Sequence, residues 1–284
     1  MEGDKVGELY LVATPIGNLG DITLRAIEIL KNADLIAAED TRQTLKLLNH
    51  FEIKKPLISY HEHNKKEAGQ KLIAKLKEGS NIALVSDAGT PGISDPGEDI
   101  VSLCIEEGIE VFACPGPVAG IYALTVSGLP TDKFVFEGFI EREGKKRRED
   151  LLRIKGETKT MILYEAPHRL QKTLSDLYEA VGNRKIAICR ELTKKHEEIL
   201  RLNLSEAIDH YSEKSPKGEY VLILQGLTKE EIQKEKEEKY EHLSIKEHIL
   251  EYINNGNSKK EAIKLVAKER NIPKSDVYKE SLDI

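Results

Sequence analysis

Short apolar runs separated by amphipathic stretches organise the first half of the chain. Leu9-Tyr10-Leu11-Val12-Ala13, Asp34-Leu35-Ile36-Ala37-Ala38, Leu57-Ile58-Ser59-Tyr60, Ile82-Ala83-Leu84-Val85 and Glu110-Val111-Phe112-Ala113-Cys114 have the length and composition of strands. Helical spacing lies between them: Ile22, Ala26, Ile29 and Leu30 share one face, with Asp21 in N-cap position. A charged helix is expected over Lys65 to Glu78, another from Pro96 through Val101 and Leu103, and a small-residue helix over Ala119 to Val126. Strands alternating with helices predict a parallel α/β domain over residues 8–130.

The pattern changes at Gly128-Leu129-Pro130-Thr131-Asp132, where turn residues cluster. Phe134 to Phe139 alternates, and Thr160 to Tyr164, Ile186 to Arg190, Glu198 to Leu202 and Tyr220 to Leu224 are further strands with few helices among them. This predicts a mixed α/β second domain over 132–227. Residues 228–243 alternate in charge with few apolar positions and read as a solvated linker helix. From Ser244-Ile245-Lys246-Glu247, a capping-box sequence, three short helical patterns follow to the end, a helix-turn-helix-like module over 244–284.

The loops after the strands carry the candidate chemistry. Ser86-Asp87-Ala88-Gly89-Thr90-Pro91-Gly92-Ile93-Ser94-Asp95-Pro96-Gly97 is longer than a simple strand-to-helix turn and holds three glycines and two prolines. Such a loop lets backbone approach a ligand at a strand's carboxyl end, where open α/β sheets place their sites. Thr14-Pro15-Ile16-Gly17-Asn18-Leu19-Gly20-Asp21 and Pro115-Gly116-Pro117-Val118-Ala119-Gly120 have the same design, without the spacing of a dinucleotide fingerprint or a P-loop lysine. Glu39-Asp40-Thr41-Arg42 is either a reactive cluster or a helix cap, and the two roles are compatible. His61-Glu62-His63 aligns two imidazoles but lacks partners for a metal site, and reads as a substrate rim or plain surface.

Composition narrows the setting. Apolar residues make up 39% and charged residues 32% of 284, with a formal charge of −6, which argues against bulk electrostatic binding of nucleic acid but not against local basic patches. The concentrated basic stretch, Arg142 to Arg148, is a solvated helix start or a phosphate contact. Cys104, Cys114 and Cys189 are odd in number and far apart, so reduced core cysteines in a cytoplasmic protein are expected. Met1 to Gly7 lacks the form of a signal peptide, and no apolar run is long enough to span a bilayer.

Taken together, Thr14 to Asp21, Ala37-Ala38-Glu39-Asp40-Thr41-Arg42, Ser86 to Pro91 and Pro115-Gly116-Pro117 resemble the tetrapyrrole methylase superfamily. Within it they resemble the ribosomal RNA small subunit methyltransferase I group, and the likeness extends to Tyr164-Glu165-Ala166-Pro167-His168-Arg169 and Arg190-Glu191-Leu192-Thr193-Lys194. The resemblance implies a homodimeric two-domain methyltransferase that uses S-adenosylmethionine to methylate a cytidine 2′-hydroxyl of small-subunit ribosomal RNA. Cofactor contacts carried over are Pro15, Gly17, Asp87, Ala88, Gly89, Thr90, Pro115, Val118, Leu163, Tyr164, Lys217, Gly218 and Glu219. Asp40, Arg42 and His61 are the first candidates for the proton chemistry, ahead of Glu39, His63, Glu165 and Glu191. Lys145, Lys146, Arg147, Arg148, Arg169, Arg190 and Lys194 are candidates for RNA phosphates. The competing readings are a C-methyltransferase of corrin precursors and a non-catalytic RNA-binding assembly factor.

Overall fold

The computed structural model describes residues 6–240 and 243–284; Met1 to Lys5 and the end of the expected linker helix, 241–242, lie outside them. The first sheet is entirely parallel and contains β1 (Leu9–Val12), β2 (Leu35–Ala38), β3 (Leu57–Ser59), β4 (Ile82–Val85) and β5 (Val111–Cys114), in the order β3-β2-β4-β1-β5. Its crossovers are α1 (Leu24–Asn32), α2 (Thr41–His50), α3 (Lys65–Lys77) and α4 (Gly97–Glu106). The strand period of two divides the apolar side chains between two covered faces. Ile82 and Leu84 join Leu72, Ile100 and Cys104 on one side, whereas Ala83 and Val85 join Ala26, Leu30 and Leu48 on the other. Helix α1 starts two residues later than expected: Thr23, not Asp21, is the N-cap and accepts from the Ala26 amide at 3.0 Å.

Helix α5 (Ala119–Val126) leads to the second sheet: β6 (Phe134–Phe139), β7 (Thr160–Glu165), β8 (Lys185–Arg190), β9 (Glu198–Asn203) and β10 (Tyr220–Leu224), ordered β6-β7-β10-β8-β9. Only β6 and β7 run parallel there. One face packs on α6 (Gly144–Gly156), α7 (Leu170–Val181) and α8 (Leu204–Ser212) through Met161, Leu163, Ile188 and Leu222. The opposite face, with Ile162, Cys189, Val221 and Ile223, packs on Ala123 and Leu124 of α5 and on Ile16 from the β1 loop. Both sheets therefore fall within one compact unit, which among the described residues spans 6–155 and 159–225.

Residues 156–158 and 226–284 form a second unit. It holds α9 (Lys229–Tyr240), α10 (Ile245–Asn254), α11 (Lys259–Glu269) and α12 (Lys274–Glu280). Ser244 and Ser258 each close a capping box, with Glu247 and Glu261, which satisfies the first amides of α10 and α11. Ile249, Val266 and Val277 supply the small core of the last three helices. No helix among the described residues is long and apolar enough to cross a membrane.

Candidate functional site

Adjacency of β4, β1 and β5 brings three glycine-rich loops together at their carboxyl ends. Thr14 and Gly89 exchange backbone hydrogen bonds of 2.9 and 3.0 Å, and Thr90 donates through its hydroxyl to the Pro117 carbonyl at 3.1 Å. Gly89 has φ +85°, and a Cβ there would meet Ile16 at 3.3 Å and the Pro117 carbonyl at 3.4 Å. Both backbone angle and space select glycine at that crossing.

The second sheet closes the other side. A cavity of about 350 Å³ is lined by Ile16, Gly89, Thr90, Ile93 and Val118 from the first-sheet loops, and by Phe139, Tyr164, Glu165, Leu192 and Glu219 opposite. Tyr164 accepts from the Gly120 amide at 3.2 Å, and burial pushes its phenol up. A bulge between Phe136 and Gly138 re-aims the end of β6 so that Phe139 lies against Tyr164, ring centroids 5.7 Å apart. Glu165, 3% exposed, accepts from the Thr173 hydroxyl at 2.5 Å and the Ala166 amide at 2.8 Å, and pairs with Arg169 at 3.2 Å. The Leu192 segment is strained, with φ +51° at Glu191 and +64° at Thr193. It is held because the Glu191 carboxylate accepts from Lys194 at 2.9 Å and from the Glu219 amide at 3.0 Å. Burial pushes that carboxyl up, but these donors outweigh burial and leave it below its ordinary value.

Of the carried-over residues, Ala88, Gly89, Thr90, Val118, Tyr164 and Glu219 line this cavity. Pro15 and Gly17 flank its lining residue Ile16, Asp87 precedes Ala88, and Pro115 stands three residues before Val118. Three of the carried-over contacts, Leu163, Lys217 and Gly218, are not among the residues that line it. The Leu163 side chain belongs to the core on the far face of β7, because strand alternation gives the cavity side to Ile162 and Tyr164. Lys217 lines a separate cleft with Arg190 and Lys214. Gly218 is filled from above by the Glu191 side chain, 2.6 Å from where a Cβ would stand. Ile16, Phe139, Leu192 and Val221 were missed; their sequence signal is only that of apolar strand and loop residues.

The proton-chemistry candidates separate by environment. Asp40 caps α2 through the Arg42 amide at 2.8 Å and takes a two-pronged contact from the Arg42 guanidinium, at 3.1 and 2.8 Å. That side-chain bond holds the Asp40 carboxyl at about 2, well below the usual range, so it is a poor proton acceptor. Glu39 differs: burial first, then the Asp87 and Asp95 charges, raise its carboxyl, with His61 opposing. Asp87 also accepts from the Asp40 amide at 2.9 Å, fixing the β2 and β4 loops together. His61 is half-buried with its Nδ1 lacking a hydrogen-bond partner, its ring 5.9 Å from that of His63. No group of residues that could hold a metal ion occurs among the described residues.

The expected RNA contacts also divide. Lys145, Lys146 and Arg148 are exposed at the start of α6. Arg147 between them is 5% exposed and fully engaged, with Asp176 at 2.6 Å, the Glu141 carbonyl at 2.7 Å and the Thr173 hydroxyl at 3.1 Å. One turn of amphipathic helix places it inward, away from its exposed neighbours. Arg169 is bound to Glu165 and to the Ile140 carbonyl, Arg190 pairs with Glu198 at 3.2 Å, and Lys194 bridges Glu191 and Glu219, each at 2.9 Å.

Solved structures share this two-sheet arrangement. A diphthine synthase superposes with a TM-score of 0.61 at 14% identity, covering 78% of this chain and 91% of that one. Uroporphyrin-III-C-methyltransferase from Thermus thermophilus gives 0.56 at 20% identity, over 77% and 94%. The fold and cavity thus define a two-sheet α/β protein of the tetrapyrrole methylase type. The family model for Tetrapyrrole (Corrin/Porphyrin) Methylases matches residues 8–208. Two proteins named Ribosomal RNA small subunit methyltransferase I are much more similar: that of Halalkalibacterium halodurans at 54% identity (97% of this chain, 94% of the relative), and that of Bacillus subtilis at 51% (96% and 93%). The chain belongs to the tetrapyrrole methylase family, in its ribosomal RNA small subunit methyltransferase I group.

Proposed function

We propose that this protein is a cytoplasmic S-adenosylmethionine-dependent methyltransferase that methylates a cytidine 2′-hydroxyl in small-subunit ribosomal RNA. The observation that carries the reading is the apolar cavity between two sets of backbone-rich loops, in a chain about half identical to proteins named for ribosomal RNA methylation. A T. thermophilus structure with 19% identity and a TM-score of 0.54 was solved with S-adenosyl homocysteine, which supports the same fold as a cofactor holder. The cavity suits such a molecule: its volume lies in the range of small-molecule sites, and its walls are apolar with a few polar groups.

When bound, the cofactor supplies a methyl group on a sulfonium sulfur, which departs as a neutral thioether. The chain's own work is then to hold, orient and take a proton. Ile16, Val118 and Leu192 exclude water, and the crossed Thr14–Gly89 and Thr90–Pro117 contacts keep the loops from shifting, so that positioning provides most of the rate. The acceptor oxygen gains its bond to carbon as its proton leaves, and that proton needs a base. Glu39, raised by its surroundings and beside His61, suits that role better than Asp40. Arg42 remains available as a cation at the rim, 87% exposed beyond its contact with Asp40. The homodimer belongs to the same reading, supported by exposed Phe112 and Phe134 on edge strands β5 and β6.

The test is incubation with methyl-labelled cofactor and small ribosomal subunits from cells lacking the gene. Label in an alkali-resistant dinucleotide of the RNA is expected. Label only in an added corrin precursor, or cofactor binding without transfer to RNA, would overturn the assignment.

A further inference from the structure

A second cleft lies on the other side of Tyr220 from the cofactor cavity. Tyr220 lines both, and the cleft wall also holds Arg190, Glu198, His210, Tyr211 and the segment Lys214 to Lys217. Its lining carries three cations against one carboxylate. Arg190 is balanced by Glu198, but among the described residues Lys214 meets only the His210 ring, at 3.2 Å, and Lys217 meets no carboxylate. Behind them Tyr211 is 3% exposed, its ring 6.0 Å from that of Tyr220. A protein with an overall charge of −6 that keeps two uncompensated lysines on one concave wall creates a local positive field there.

We infer that this cleft seats a backbone phosphate of the RNA substrate, next to the nucleotide whose ribose enters the main cavity. The inference rests on the RNA-methylation reading and adds the anchor for the substrate. Cations on a concave wall fit a phosphodiester, whose charge sits on non-bridging oxygens that ammonium groups contact directly. Tyr220 as a shared wall links the two sites: its strand β10 is bonded to β7 and β8 on either side, so the cleft and cavity keep a fixed spacing. A fixed spacing lets phosphate binding orient the ribose hydroxyl. The segment Lys214 to Lys217 accordingly belongs to substrate recognition, whereas Glu219, two residues on, faces the cofactor cavity.

The test uses the full-length protein and a fluorescein-labelled single-stranded RNA containing cytidine, titrated by anisotropy at several salt concentrations. The combined variant Lys214→Ala with Lys217→Ala is expected to weaken RNA binding about tenfold or more and to lower the salt slope by about two. Its S-adenosylmethionine affinity by calorimetry and its melting temperature should match the parent. Unchanged RNA affinity and slope overturn the inference, and so does a parallel loss of cofactor affinity. Inorganic phosphate, followed by phosphorus NMR, separates the sources: competition with RNA at millimolar concentration fits a backbone subsite, while tight phosphate binding that RNA does not displace overturns it. Because the parent's labelling of ribosomal RNA is scored separately, failure of the cleft is distinct from failure of the proposed activity.

Discussion

Gly17→Ala is expected to weaken cofactor binding without unfolding the protein. The added Cβ would stand 2.4 Å from Lys194 Cγ, 2.8 Å from Thr193 Oγ1 and 2.9 Å from the Leu192 carbonyl oxygen. Ordinary contact begins near 3.4 Å, so the backbone oxygen alone demands a retreat of about 0.5 Å. Lys194 cannot swing away freely, because Glu191 and Glu219 both hold its ammonium. Gly17 does not have positive φ, so alanine suffers no backbone strain and the effect is purely steric. The retreat separates Ile16 from Leu192, which line the cavity on opposite sides. A gap of about 0.5 Å forfeits a quarter or more of each dispersion well; with roughly twenty ligand atom pairs at about 0.15 kcal/mol each, the loss is about 1 kcal/mol. That corresponds to about a fivefold weaker Kd for S-adenosylmethionine by titration calorimetry. A variant that binds as tightly as the parent would falsify the view that these two loops jointly clamp the cofactor.

Glu39→Gln should lower kcat for RNA methylation by about a hundredfold or more while leaving cofactor affinity intact. In the parent, activity should fall as pH drops through the raised Glu39 value, and the variant should lose that limb; an unchanged pH–rate profile refutes the assignment. The same raised carboxyl means that the folded state holds its proton longer than the unfolded chain, so ionised Glu39 disfavours folding as pH rises, and Glu39→Gln should melt higher than the parent at pH 8 but not at pH 4. Arg147→Ala leaves Asp176 and the Glu141 carbonyl without their buried donor and should cost about 3 kcal/mol in urea unfolding. Arg148→Ala should stay within about 0.5 kcal/mol; equal effects of the two would contradict the burial of Arg147. In the helical unit, burial first and Arg270 next hold His248 below its ordinary value. The unfolded chain then takes the proton more readily, so stability present above about pH 6.5 is lost below it. Hydrogen-exchange protection over residues 244–284, corrected for the intrinsic base-catalysed rate, should fall between pH 7.5 and 5.5, and His248→Gln should flatten that dependence.

Local sequence was enough for the alternation of strands and helices, the capping box at Ser244, and the three loops at Thr14, Ser86 and Pro115, because these depend on local periodicity and on backbone preferences of glycine, proline and capping residues. It did not determine which way a residue points when both outcomes share one pattern. Leu163 and Tyr164 are neighbours in an apolar run, and only the packing of β7 between two covered faces sends one to the core and the other to the cavity. Arg147 and Arg148 are equivalent in composition, and only the position of Asp176 and Thr173 on α7 draws one of them inside. Asp40 and Glu39 are adjacent carboxylates whose proton affinities part because Arg42 reaches back to one, while burial, and then the Asp87 and Asp95 charges, raise the other. Charge, contact and burial at these sites come from residues distant along the chain, so tertiary structure alone assigns them.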